Sequence, residues 1–412
     1  MPIRLRLTMA ALLLALVCTP HAQATPRCEG TLLMSEIGRR QEATLVLLRE
    51  KRYDELQRRM DGFLAAWTAQ RIGDEELFYE FGAFDRWGPF LTPLMQDWLA
   101  QQPKSYAAHH AMALHLSSRA WQARGTSLGR DTADTQMQAF DQGLSAAREM
   151  SIKALKLHPR PLLSYQQLMK DAKARRLPDT TIAGLLGTIR STMQTDPLNP
   201  RPDVLPLLEA AQRIQADNVI VRHAYVGVLA PRWGGSLDAL QDYARPARHP
   251  GLAPDRLASV SYSATMEIAS DYWFRKEFDQ AVEVLQVAAQ LCRLNQPWVD
   301  IANIRLDQQR YADALHAADQ TLALVPTSSS GQLLRARALR GLGRHDEAVK
   351  LLQRLAPEGM GEVAYLLGEY HDSGTGGLPR DPAEARRLFE IAARAGEPRA
   401  LKRLQAASTS AR

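Results

Sequence analysis

The sequence predicts an all-α protein, a right-handed solenoid of antiparallel helix pairs. Three alanines, Ala281, Ala314 and Ala348, recur at intervals of 33 and 34 residues, and each follows an aromatic residue or a histidine by three positions. A fixed period of this length is typical of stacked helix pairs. Across the rest of the chain, apolar residues recur three and four positions apart, and no segment alternates as a strand does.

The N-terminus has the pattern of a secretory signal. Arg4 and Arg6 supply the positive charge, Met9–Val17 is the apolar stretch, and Ala22–Ala24 provides the small residues of a cleavage site. We therefore assign residues 1–24 to a signal peptide. The rest of the chain has no apolar run long enough to cross a bilayer, so the expected protein is periplasmic or secreted, without a membrane span.

The charge and motif content exclude several other classes of function. The formal net charge of +6 falls by two when Arg4 and Arg6 leave with the signal, and so small an excess on 412 residues does not indicate a nucleic-acid surface. No cofactor motif is present: the glycines near Gly374 lack the Lys-Ser/Thr ending of a phosphate loop. We therefore expect neither a cofactor nor a nucleic-acid partner.

Residues 25–259 are predicted to form divergent helical hairpins of unknown function. Apolar residues have helical spacing in four stretches, at 45–56, 106–121, 137–157 and 219–229. Segments rich in glycine or proline separate the helices, at 125–129, 159–161, 197–202 and 231–235.

Residues 260–362 carry the helix-pair period most clearly. Trp298 opens the first helix of the middle pair and Tyr311 opens the second. From Gln296 to Val325 the pattern resembles a tetratricopeptide repeat, although Arg305 stands where that family usually has an aromatic residue. The resemblance implies a superhelical surface that binds protein segments.

Residues 363–404 resemble a Sel1-like repeat. The glycines of Gly374–Gly377 are expected to end one helix with positive φ angles. Asp381 is expected to cap the next helix and Pro382 to occupy its first turn. The polar residues 405–412 are predicted to be a disordered tail.

Two phrases in the N-terminal half, Ala120–Gly125 (AWQARG) and Pro231–Ser236 (PRWGGS), resemble an uncharacterised bacterial domain family. The resemblance covers roughly residues 47–291 and implies no established activity. Two interpretations of the second phrase stay open. Its glycines and serine can form a tight turn and a helix cap, or Arg232 and Trp233 can be an exposed pair that recognises a partner.

Three residues of the repeats are candidate binding residues. Asn303 and Arg337 are 34 residues apart, at equivalent positions of successive units, and Arg340 follows one helical turn later. Asparagine can bond a peptide backbone, and arginine can bind a carboxylate with two parallel bonds. The alternative is an ordinary solvated helix face.

Two cysteines, Cys28 and Cys292, remain after signal cleavage. An oxidising compartment makes a disulfide between them chemically reasonable. The alternative is two independent thiols, because their separation in sequence gives no evidence that they are close in space.

Catalytic and metal-binding patterns are weak. Gly125–Gly129 reads G-x-S-x-G, but it follows a helical segment instead of the strand that a nucleophile elbow requires. His109, His110 and His115 lack the spacing of zinc ligands on one helix face. The sequence therefore predicts a protein-binding scaffold without enzymatic activity, with an envelope hydrolase whose site lies in the N-terminal region as the alternative.

Overall fold

The computed structural model describes Cys28 and residues 34–86, 88–125, 132–174 and 204–410. These residues form helices joined by turns, and none of them belongs to a β-strand. The prediction of an all-helical repeat protein is thus confirmed. The predicted signal peptide lies outside the described residues.

The chain divides into two compact units, one from Pro26 to Asp271 and one that includes Tyr272–Arg412. This division falls later than the boundary after residue 259 that the sequence suggests. Both boundaries lie within a single helix that runs from Pro254 to Phe274. Among the described helices, none combines the length and the apolar character that a bilayer crossing requires.

The N-terminal unit contains ten α-helices and the start of an eleventh among its described residues. They are α1 (Met34–Arg49), α2 (Tyr53–Thr68), α3 (Asp74–Phe81), α4 (Leu91–Gln101), α5 (Tyr106–Arg124), α6 (Asp134–Leu155), α7 (Leu162–Ala172), α8 (Leu205–Ile214), α9 (Ile220–Leu229), α10 (Leu237–Tyr243) and α11 (Pro254–Phe274).

Helices α5 and α6 pack very closely in this unit. A Cβ atom placed on Gly143 of α6 would lie 2.6 Å from the Cβ atom of Ala120 on α5. The absent side chain therefore lets the two helices approach. Phe140 and Leu144 are buried in the same contact, and Trp121 packs against them.

The C-terminal unit continues the helix-pair pattern. It contains the end of α11, then α12 (Phe278–Leu291), α13 (Gln296–Asp307), α14 (Tyr311–Leu324), α15 (Ser329–Gly341), α16 (His345–Leu355), α17 (Gly361–Ser373), α18 (Pro382–Arg394) and α19 (Pro398–Ser410). The periodic alanines Ala281, Ala314 and Ala348 are all 0% exposed. Tyr311 packs so tightly on α15 that a Cβ atom on Gly341 would lie 2.2 Å from its ring.

The same turn joins the two helices of successive pairs. Lys276, Gln309 and Gly343 adopt positive φ angles of 62°, 58° and 75°. In each case the next residue has φ between −86° and −83° and ψ between 58° and 66°, and the second helix then begins. The turn is therefore a structural mark of the repeat, as regular as the alanine spacing.

This turn also occurs at the N-terminus, between α1 and α2. Lys51 has φ 56°, and Arg52 has φ −82° and ψ 59°. Tyr53 then begins α2 and is buried. Sequence reasoning missed this pair because Leu56 stands three positions after Tyr53, where the other pairs have alanine.

Residues 363–404 have the local conformation that their glycine and aspartate positions predict. Gly374, Gly376 and Gly377 have φ angles of 68°, 68° and 75°. The Asp381 carboxylate accepts hydrogen bonds from the first backbone N–H groups of α18, at 2.9 and 3.1 Å, and Pro382 is the first residue of that helix. The predictions of glycine turns and an aspartate cap are confirmed.

The end of the chain differs from the prediction. Helix α19 continues to Ser410, although we expect disorder from residue 405. Leu404 packs against the core of the C-terminal unit, and alanine and glutamine after it are compatible with a helix. The polarity of the residues after Leu404 therefore did not predict their helical conformation.

Candidate partner-binding face

Side chains from three helices of the C-terminal unit form a cluster of polar contacts, which we call the repeat face. It consists of Asn303 on α13, Arg337 and Arg340 on α15, and Glu362 and Glu369 on α17. Residues three or seven positions apart lie on the same side of a helix. The two arginines therefore point toward the two glutamates of the neighbouring pair.

Asn303 and Arg337, the two equivalent positions of the repeat, are in direct contact. Arg337 Nη1 donates a hydrogen bond to Asn303 Oδ1 at 3.3 Å. Asn303 Nδ2 in turn donates to the Val299 carbonyl at 3.1 Å, which fixes the orientation of the amide. The repeat spacing therefore brings these side chains together.

Both arginines of the repeat face also have acidic neighbours. Arg340 Nη1 lies 2.6 Å from Glu369 Oε2, and Arg337 Nε lies 3.6 Å from Glu362 Oε1. The arginine side chains are 36% and 30% exposed, so solvent and a partner can still reach them. A carboxylate of a partner would compete with these two glutamates for the guanidinium groups.

Aromatic residues that the sequence did not single out complete this surface. The Arg340 guanidinium lies 5.6 Å from the ring centre of Tyr370, and that of Arg399 lies 4.6 Å from the ring centre of Tyr365. Tyr365 donates a hydrogen bond to Glu369 at 3.1 Å. Burial raises the pKa of both tyrosines, so their phenols remain protonated donors. The signal in the sequence that could have identified these two tyrosines is their helical spacing from the glutamates.

Arg305, which replaces the expected aromatic residue, has a structural role. It is buried, and its Nη1 atom lies 2.6 Å from Asp279 Oδ1 and 2.6 Å from Gln308 Oε1. The hydrogen bond from Arg305 lowers the pKa of Asp279. The aliphatic part of an arginine can fill the place of a ring while its charged end reaches the surface.

Arg232 and Trp233, the second predicted pair, are held by contacts inside the N-terminal unit. Arg232 Nη2 lies 2.5 Å from Glu267 Oε2. Trp233 is half-buried, with its ring centre 5.7 Å from that of Trp121 in a T-shaped contact. The phrases Ala120–Gly125 and Pro231–Ser236 therefore meet through their tryptophans.

The glycines of the second phrase have the local role that one interpretation expected. Gly234 has φ 93°, and a Cβ atom on Gly235 would lie 1.9 Å from the Leu229 carbonyl oxygen. The Ser236 hydroxyl accepts a hydrogen bond from the Ala239 backbone N–H at 3.1 Å. The turn and the cap are therefore present, and partner recognition by Arg232 and Trp233 stays a prediction.

The histidines of α5 serve the helix packing. His115 Nδ1 donates to the Arg86 carbonyl at 2.9 Å, so its Nε2 accepts from the Thr92 hydroxyl at 2.8 Å. His110 is buried between aromatic rings, and burial lowers its pKa to about 3. In the part of the chain that the structure describes, no group of three potential ligands could hold a metal ion.

Two other hypotheses from the sequence, a nucleophile at Ser127 and a bond between Cys28 and Cys292, stay predictions. Ser127 of the G-x-S-x-G string lies outside the described residues, so the structure gives no geometry for a nucleophile there. Cys28 and Cys292 are both buried and both disulfide-bonded. Their pairing with each other stays a prediction, which counting thiols in the purified protein tests.

The N-terminal half is similar to a family known only as a domain of unknown function, DUF4034, whose model matches residues 41–194. The match ends before Pro231–Ser236, so the resemblance is shorter than the span of 47–291 suggested by the sequence phrases. A tetratricopeptide repeat model matches residues 299–363. No curated protein sequence matches the chain significantly.

Two solved structures show a weak similarity to this chain. Human IFIT1, solved as a dimer with m7Gppp-AAAA, is 14% identical with a TM-score of 0.37, over 94% of this chain and 82% of that chain. Yeast Tom70 is 14% identical with a TM-score of 0.31, over 96% of this chain and 72% of that chain. Scores this low support no argument about function. The all-helical chain is thus similar to DUF4034 in its N-terminal half and to a tetratricopeptide repeat in its C-terminal half.

Proposed function

We propose that the protein is an exported scaffold whose repeat face binds a peptide segment or a folded partner. The observation that carries this proposal is the contact between Asn303 and Arg337, two equivalent positions of successive repeats, beside Arg340. Stacked polar side chains on consecutive repeats offer an extended partner several bonding groups at regular intervals. The tetratricopeptide match at residues 299–363 supports the same interpretation.

The charge arrangement favours a partner with both acidic and apolar groups. Glu362, Glu369 and Glu397 balance the charges of Arg337, Arg340 and Arg399. The guanidinium groups of Arg340 and Arg399 lie beside the buried rings of Tyr370 and Tyr365. An acidic side chain can take a guanidinium from its glutamate with little net cost, because half-exposed ion pairs contribute only about 0–1 kcal/mol. Affinity would then come from contacts with the adjacent rings and with Asn303.

The experiment begins with affinity capture from an envelope extract, followed by titration of the captured partner in purified form. Arg337→Ala should weaken binding by roughly 1–3 kcal/mol, because it removes a charge-assisted hydrogen bond. Arg337→Lys should recover only part of the loss, since an ammonium lacks the two-pronged geometry. Arg386→Ala is the matched control, because Arg386 is 77% exposed and lies outside the repeat face.

Two further variants separate this proposal from its alternatives. Glu369→Gln should strengthen binding of an acidic partner, because it releases Arg340 from its ion pair. Equal affinity for the wild type, Arg337→Ala and the Asn303/Arg337 double variant would refute the site and direct attention to Arg232 and Trp233. Loss of biological activity in a folded Ser127→Ala variant would instead support the hydrolase alternative.

Export is part of the same proposal. The basic, apolar and small-residue parts of residues 1–24 support it. N-terminal sequencing of the protein from the envelope fraction should give Thr25 as the first residue. An intact Met1 in that fraction would contradict cleavage.

A further inference from the structure

A cleft of about 280 Å³ lies inside the N-terminal unit, next to Arg232 and Trp233, which contact its lining residues Glu267 and Lys173. Side chains from α3, α7, α9 and α11 line it, among them Phe78, Gln166, Lys173, Ile220 and Glu267. The volume is close to the lower limit of small-molecule sites, which suits a ligand about as large as an amino acid or a short-chain acid.

Lys173 is the charged group that this cleft leaves available. Lys170 also lines the cleft, but its Nζ atom lies 2.7 Å from Asp85 Oδ2. Glu267 is paired with Arg232. The Lys173 ammonium makes no hydrogen bond or close ion pair with another described residue, and its nearest ring contact is Trp233, with Nζ 5.9 Å from the ring centre.

The surroundings of Lys173 disfavour a charge without a partner. Burial lowers the pKa of this lysine. The charges of Lys170 and Arg232 lower it further, whereas those of Glu267 and Asp171 raise it. An ammonium removed from water is costly unless an acceptor replaces the lost hydration. An anion bound in the cleft would supply that acceptor.

Besides Lys170, Lys173 and Glu267, the lining has one further charged residue, Glu75, and its other residues are uncharged. Phe78, Ile220 and Ala224 give it apolar walls. Burial lowers the pKa of His223 to about 4, so this histidine is neutral at physiological pH, and its Nε2 atom lies 3.1 Å from the Ser259 hydroxyl. The walls therefore suit an apolar chain beside the single available ammonium.

Gly227 keeps the space beside Lys173 open. A Cβ atom on Gly227 would lie 3.6 Å from Lys173 Cδ and 3.8 Å from Nζ, which is ordinary contact. An alanine could thus be accommodated, whereas a leucine would extend a branched chain into the cleft. This position allows the cleft to be filled without removing the charge.

We propose that the cleft binds a small organic carboxylate, with its charged group at Lys173 Nζ and its apolar chain against Phe78 and Ile220. The inference rests on the N-terminal unit alone. It is independent of the scaffold function proposed for the repeat face, and either can fail without the other.

The test uses hexanoate as the probe and ligand-observed NMR titration of the purified protein. Saturable binding of hexanoate is expected, with hexanamide and inorganic phosphate each at least about tenfold weaker, because one lacks the charge and the other the apolar chain. Lys173→Met should weaken hexanoate binding by a similar factor. Lys104→Met, at an exposed lysine of the same unit, should leave it unchanged.

A second pair of variants keeps the test decisive if Lys173→Met disturbs folding. Gly227→Leu should abolish hexanoate binding by filling the cleft, whereas Gly62→Leu, at an exposed helical glycine with open space around it, should not. Circular dichroism verifies the fold of each variant. No saturable binding, equal binding of hexanamide or phosphate, or unchanged affinity in folded Lys173→Met or Gly227→Leu would each overturn the proposal.

Discussion

Replacement of Gly143 by alanine tests how closely α5 and α6 must pack. The new Cβ atom would lie 2.6 Å from the Cβ atom of Ala120 and 3.2 Å from its Cα atom. Carbon atoms in contact are normally about 3.5–4.0 Å apart, so the two helices would have to separate by about 1 Å. Because the obstructing atoms belong to or adjoin a helix backbone, no side-chain rotation can relieve the overlap.

Two opposing effects determine the size of the change. Alanine favours a helix interior by about 1 kcal/mol relative to glycine. Overpacking of a close contact costs about 1–3 kcal/mol. We therefore expect Gly143→Ala to destabilise the pair by about 1 kcal/mol, opposite in sign to an ordinary glycine-to-alanine change in a helix.

Hydrogen exchange followed by mass spectrometry measures the opening free energy of α5 and α6 directly. Gly62→Ala is the matched control, because a Cβ atom there has nothing within 4 Å and should stabilise α2. Adding Ala120→Gly to Gly143→Ala removes the closer of the two overlaps, so a double-mutant cycle should show coupling of about 1 kcal/mol. If Gly143→Ala stabilised its helix as much as Gly62→Ala does, the packing argument would be refuted.

Two further predictions concern cysteine chemistry and acid stability. Non-reducing mass spectrometry of the exported protein should show Cys28 joined to Cys292 and no alkylatable thiol; two alkylated cysteines would exclude the bond. Burial lowers the pKa of His110 to about 3, against about 6.5 in an unfolded chain. The unfolded chain thus binds this proton first, and stability should fall as the pH drops from about 6.5 toward 3. Denaturation curves of His110→Phe should show a weaker loss over this range, and an unchanged pH profile would argue against the assignment.

The sequence by itself determined the features that depend on nearby residues. The spacing of Ala281, Ala314 and Ala348 fixed the helix-pair repeat, because only small residues fit where paired helices touch. Gly374 and Asp381 identified a helix end and a helix start, since φ angles and end caps are properties of a few consecutive residues. Such features can therefore be predicted without knowledge of the tertiary structure.

The helix pair at the N-terminus could not be recognised from its local sequence pattern. Its turn at Lys51 is the same as the turns of the later repeats, but Leu56 in place of alanine concealed it. A buried leucine can occupy that position only if the helix packed against it leaves enough space, which the sequence around Leu56 does not show.

Only the tertiary structure decided which distant side chains meet. Arg340 and Glu369, Trp121 and Trp233, and the lysine-lined cleft near Gly227 each combine residues from helices far apart in sequence. Helical periodicity assigns a residue to a face of its own helix, but it does not say which other helix that face will contact. That choice depends on the summed packing of all the helices in a unit, so no short segment of sequence contains it.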